Sequence, residues 1–152
     1  MPMRIARAFF VAAAISWPLA ILLAPRAGEW GALAYLLGSL ICHQNPERSF
    51  HMAGVQLPVC ARCTGVYLGA GLAAIGGLVG APEFRGVIRT KQLTSTRART
   101  FLIVAALPTV ITAATNALGW WDASNTLRAA LAVPLGFAAC VVVAAVLAGE
   151  LW

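Results

Sequence analysis

Four long stretches of this chain carry almost no charge, and none of them alternates between polar and apolar positions. They are residues 8–24, 63–81, 101–119 and 129–149. At about 1.5 Å of rise per helical residue, such runs cross a hydrocarbon layer roughly 30 Å thick once interfacial ends are allowed for. Lipid offers the backbone no hydrogen-bond partners, and the two-residue alternation of a barrel strand is missing, so each run predicts a helix. A fifth run, residues 30–41, has only 12 residues and predicts a half-length, re-entrant or tilted segment, with a full crossing left open. The fold class read from this pattern is all-α: a polytopic integral membrane helical bundle of four spans plus one half-length helix, in a single domain over 1–152. Pro18, Pro108 and Pro134 fall inside spans and mark kinks. Gly65 with Gly69, and Gly76 with Gly80, give small-xxx-small spacings suited to close helix packing.

Composition removes the soluble alternative. Hydrophobic residues make up 61% of the chain and charged residues 11%, with a mean hydropathy of +0.82, too apolar for a polar shell around a core. The first run follows Arg4 and Arg7 but lacks a small-x-small cleavage site and leads directly into Pro25, so it reads as a retained anchor. Charge then orients the bundle. Arg85, Arg89, Lys91, Arg97 and Arg99 crowd the 82–100 loop against the single acid Glu83. The positive-inside rule therefore places that loop, the N-terminus and the C-terminus in the cytoplasm, in an inner membrane. The polar stretch 42–62 then faces the other side, provided that 30–41 enters and returns. The net charge of +6 is accounted for by attraction to anionic lipid headgroups; no nucleic-acid-binding module is recognisable, and no nucleic-acid partner is expected.

The chemistry is concentrated in that polar stretch. With Cys63, which directly follows, it holds Cys42, His43, Gln44, Glu47, Arg48, His51, Cys60 and Arg62, and so gathers three of the four cysteines and both histidines. Cys60 and Cys63 form a C-x-x-C just after Pro58, which reads as the first turn of a helix, with both sulfurs on the face of Thr64 and Tyr67. A helix N-terminus favours thiolate. One use is a metal site: Cys42, His51, Cys60 and Cys63 would complete a tetrahedral zinc site, with His43 as the substitute imidazole. Another is redox cycling of Cys60 and Cys63 with Cys42 and a membrane quinone as electron acceptor. Free thiols or a structural disulfide are the plainer reading. A further alternative is transport or binding of a lipid or small solute, with Glu47, Arg48 and Arg62 at the entrance. Glu47 is expected to pair with Arg62 or Arg48, and Gln44 and Asn45 to complete a polar network that holds the loop against the helix ends, orients the ligands, or forms a pocket for an anionic headgroup. Elsewhere, Arg128 is placed to pair with Asp122 or to snorkel to phosphate, Asn116 to bind a neighbouring helix, Ser124 or Asn125 to cap the last helix, and Cys140 to act as a small buried hydrophobe.

With these residues assembled, the chain resembles a family of small predicted membrane proteins of bacteria and archaea, domain of unknown function two thousand and eighty-five. The resemblance rests on Cys42-His43-Gln44, on Pro46-Glu47-Arg48-Ser49-Phe50-His51, on the run from Leu57 through Gly65, and on Tyr67-Leu68-Gly69. A later block, Ser124-Asn125 with Leu127-Arg128 and Gly136, also fits. It implies a multi-helix membrane protein with this polar cluster and carries over no activity. Two departures stand out: Thr112 follows Pro108 where relatives tend to carry an aspartate, and Leu131-Ala132 stands in place of Thr-Gly.

Overall fold

The computed structural model describes residues 2–79 and 94–148, with side chains described from residue 5. Arg85, Arg89, Lys91 and Glu83 of the basic loop, the far ends of the 63–81 and 129–149 runs, and the side chain of Arg4 lie outside the described residues. The chain is mostly helical. Helices α1 (Pro2–Leu23), α3 (Ala61–Val79), α4 (Ser95–Ala117) and α5 (Asn125–Leu147) are joined by the short helix α2 (Glu29–Ser39). Four segments are long and apolar enough to cross a membrane: Ile5–Arg26, Ala61–Val79, Ser95–Ala117 and Asn125–Leu147. Helix α2, with 11 residues, is about 16 Å long, half a hydrocarbon thickness.

One feature departs from the all-α expectation. Residues 49–60 form an antiparallel hairpin, β1 (Ser49–Met52) and β2 (Val55–Cys60). Ala53 and Gly54 make its two-residue turn, both with positive φ, at 51° and 80°, the conformation that matches the twist of paired strands. Pro58 does not open a helix; it lies in β2, and α3 begins at Ala61. The register slips between Ser49 and His51, so that His51 pairs with Gln56 while Ser49 pairs with Cys60. Proline has no N–H to give to a ladder, and Pro58 lies in the stretch where the pairing is interrupted.

The tightest packing joins α3 to α5. A Cβ on Gly65 would run into the carbonyl of Ala129, one on Gly69 into that of Val133, and one on Gly136 into that of Val66. From Gly65 with Ala129 to Gly69 with Val133 the contacts advance four residues along both helices, so α3 and α5 run parallel, backbone against backbone, in the manner small residues allow within a bilayer. Pro18 and Ala14 of α1 meet Gly71, and Trp17 meets Tyr67 edge to face at 6.0 Å, which sets α1 antiparallel to α3. On the other flank, the Thr109 hydroxyl of α4 donates to the Leu131 carbonyl of α5 at 2.9 Å. Cys140 is buried with Ala73, Ala74 and Val141, as a small hydrophobe.

Candidate metal centre

Three sulfurs converge where α2, β2 and α3 meet. Cys42 follows the end of α2, its N–H bonded to the Gly38 carbonyl at 2.9 Å; Cys60 ends β2, and Cys63 lies in the first turn of α3. Their sulfur atoms all lie within 4.8 Å of one another, and the cysteines are free thiols. Two sulfurs bound to one tetrahedral zinc at ~2.3 Å each sit about 3.8 Å apart, so the spacing fits such an ion. The donor set fits as well, since soft thiolates select zinc over hard oxygen-seeking cations. The backbone N–H of Cys60 donates to the Cys42 sulfur at 3.1 Å, a bond that favours negative charge on that sulfur.

Cys42 is buried against Ile21, Leu57 and Val59, with Trp17, Tyr67 and Phe50 packed around them. The polar partners that hold this arrangement are amides and carbonyls. Gln44, with φ at +47°, donates from Nε2 to the carbonyls of Tyr35 and Pro58, both at 2.8 Å. That one amide fastens α2 to β2 and so fixes Cys42 relative to Cys60. Gln56 Nε2 in turn donates to the Gln44 carbonyl at 2.6 Å and to Ser49 Oγ at 3.2 Å, and the Tyr35 hydroxyl donates to the Gln56 carbonyl at 2.5 Å. Gly38 is the hinge of this fit, because a Cβ there would strike the Pro58 carbonyl.

The Cys63 thiol hydrogen-bonds to the Cys60 sulfur and holds the Cys60 pKa down at about 5, overcoming the opposing effect of burial, with further hydrogen bonds from Cys42 and the local backbone. The thiolate is the reactive form, so a lowered pKa keeps Cys60 reactive at lower pH. In metal-free protein, alkylation of Cys60 by iodoacetamide is expected to persist through neutral pH and fall by half near pH 5. An ordinary thiol is half ionised near ~8.5. Peptide mapping across a pH series checks this, and a midpoint at the ordinary value would contradict it.

A family model described as "Predicted membrane protein (DUF2085)" matches residues 42–142, which contain all three sulfurs, the hairpin and α3. The chain belongs to this family. It is 35% identical over 96 residues to an uncharacterized protein of Methanothermobacter thermautotrophicus, covering 63% of this chain and 78% of that protein. It is 34% identical over 94 residues to an uncharacterized protein of Methanocaldococcus jannaschii, covering 62% of this chain and 55% of that protein. No solved structure matches.

Within this DUF2085 fold the residues singled out by sequence divide into three groups. Cys42, Cys60 and Cys63 come together, and Gln44 braces them. His51 and His43 stay outside the sulfur group among the described residues. His51 is exposed on β1 opposite Gln56, and His43 is exposed beyond α2; the slipped register gives Cys60 to Ser49 instead. The third group is charged. Glu47 does not pair with Arg62 or Arg48; among the described residues the salt bridge is that of Arg128 with Asp122. Glu47 and Arg48 are exposed in a single 3-10 turn, Pro46–Arg48, which Asn45 caps by accepting the Glu47 N–H at 3.0 Å. Arg62 turns instead to the Thr112 carbonyl at 3.0 Å. Asn116 donates to Asp122, not to a neighbouring helix. Sequence reasoning missed Tyr35, Gln56 and Gly38, whose roles exist only because β2 folds against α2.

Proposed function

We propose that this membrane protein holds one divalent transition metal, zinc, on Cys42, Cys60 and Cys63 at one face of the bilayer. The convergence of the three sulfurs supports this reading. Three protein donors leave the fourth tetrahedral position open, where a closed structural site would have four. The open position favours metal handling or exchange with a small external ligand over a purely structural role. The same reading takes the four spans as crossing the inner membrane while α2 enters and returns. It puts the N-terminus, the 82–100 loop and the C-terminus in the cytoplasm, with anionic headgroups against the basic loop.

Metal analysis of protein purified without chelator is expected to give about one zinc per chain, and cobalt substitution a thiolate charge-transfer spectrum. Metal-free protein with Cys60 and Cys63 joined as a disulfide would overturn the proposal.

That second outcome belongs to a redox reading, which the ionised Cys60 beside two further thiols favours. Cys60 and Cys63 would form a disulfide, giving up two electrons and two protons to reduce a quinone to quinol. A cavity of about 490 Å³ between α1, α3 and α5 is lined by Ala73, Cys140 and Ala144 among others. It lies at the other end of α3, roughly 15 Å along the helix from Cys63, too far for a quinone within it to touch the sulfurs. A quinone held there would not meet the thiols, and the convergence of three sulfurs supports the metal reading first.

A further inference from the structure

We propose that Arg62 and Arg128 form a binding site for a phosphate-type oxyanion between the first turns of α3 and α5, with Arg48 at its rim. The two helices run parallel and touch through Gly65 and Ala129. Arg62 lies one turn before Gly65, and Arg128 directly precedes Ala129. Two guanidinium groups and two positive helix ends therefore meet at the same level.

The charges there do not balance. Arg128, Cys60, Arg48 and Asp122 are the charged neighbours of Arg62, so three arginines face one carboxylate and the Cys60 sulfur, and one positive charge is left over even with that sulfur ionised. Asp122 is already engaged by Arg128 Nη2 and by Asn116. Arg62 has no carboxylate partner among the described residues, only the Thr112 carbonyl. Arg128 is 3% exposed, and its Nη1 donates to Asn125 Oδ1 at 2.9 Å. Asn125 is itself anchored to the carbonyls of Glu47 and Ser49, so the guanidinium is held in place. Yet the Nε–H groups of both Arg128 and Arg62 are buried without an acceptor. Buried donors of a charged group are costly to leave unmet.

An oxyanion with several acceptor oxygens would satisfy both Nε–H groups and offset the surplus charge. Arginine is suited to phosphate by its planar fork and weak hydration. The membrane-face position makes a phospholipid headgroup one source and a free phosphate group the other. The inference takes none of its donors from the sulfurs, although Cys60 is a charged neighbour of Arg62.

The test uses the full chain, delipidated in detergent, titrated with inorganic phosphate by calorimetry. In parallel, the chain is placed in phosphatidylcholine nanodiscs with and without phosphatidic acid, and retained lipid is read by native mass spectrometry. Saturable binding of inorganic phosphate identifies a free-phosphate site, and selective retention of phosphatidic acid identifies a headgroup site. In either case Arg62→Gln is expected to weaken binding at least about tenfold, Arg62→Lys to weaken it less, and Arg26→Gln, an exposed arginine in the turn after α1, to leave it unchanged. Thermal unfolding and zinc content of Arg62→Gln show that the fold survives. If neither ligand binds saturably, or if Arg62→Gln binds as the parent does, the proposal is overturned.

Discussion

Replacing Cys42 by serine is expected to lower bound zinc from about one ion per chain to under about a tenth, and to weaken affinity in chelator competition by a hundredfold or more. The buried Cys42 sulfur receives the Cys60 N–H, and it is one of three converging donors among the described residues. A serine hydroxyl is neutral at pH 7 and too hard a donor to replace a thiolate. Apparent zinc binding in small four-ligand sites is worth about 10–16 kcal/mol, so losing one ligand of three removes several kcal/mol. Two further substitutions sharpen the test. Cys140→Ser should leave zinc untouched, because Cys140 packs with Ala73 and Val141 far from the cluster. His51→Ala should also leave it untouched, because the imidazole lies on the exposed strand. Loss of zinc in His51→Ala would restore the four-ligand set suggested by spacing alone and contradict the three-sulfur site.

Gly65→Leu or Gly136→Leu should destabilise the protein by about 3 kcal/mol or more, near the upper range for single substitutions. At both positions a side chain would collide with backbone, the Ala129 carbonyl in one case and the Val66 carbonyl in the other. Backbone cannot swing aside as a flexible side chain can, so α3 and α5 must separate along their length and lose close packing, a main source of helix association in lipid. Leu68, on the same helix and 37% exposed, provides the contrast: Leu68→Ala should change stability by less than about 0.5 kcal/mol. Denaturation by increasing SDS mole fraction measures both. Equal stability of Gly65→Leu and Leu68→Ala would mean that the helices do not touch as described. Separation of the helices would also move the first turn of α3, so some zinc affinity should go with it.

The parts of this protein that a sequence can announce are those that depend on local solvation. Long apolar runs around Trp17, Leu72, Val104 and Val141 predicted helices because lipid forbids an unpaired backbone, and those helices are present. Gly65 and Gly69 announced close packing, although the pattern named no partner helix. The pairing of Arg128 with Asp122 was also legible, because a charge at the start of an apolar helix must find a neighbour. The hairpin was not. Its turn is Ala53-Gly54, not the asparagine-glycine or aspartate-glycine pair that advertises such turns, and Pro58 looked like the opening of a helix. Once the hairpin is missed, the slipped register is missed too, and His51 is expected beside Cys60, where the strand pairing in fact puts Ser49.

What the sequence determined by itself was the solvent of each segment: which stretches are apolar enough for lipid, and which stretch gathers the cysteines, histidines and charge. The tertiary structure decided which sulfurs meet, that imidazole stays outside, and that arginines from two different helices share one buried corner. The physical reason is the range of the forces involved. Burial in lipid is a property of consecutive residues, whereas a coordination site or a charge cluster is set by contacts between segments tens of residues apart, fixed here by the amide of Gln44 and the bare backbone of Gly65.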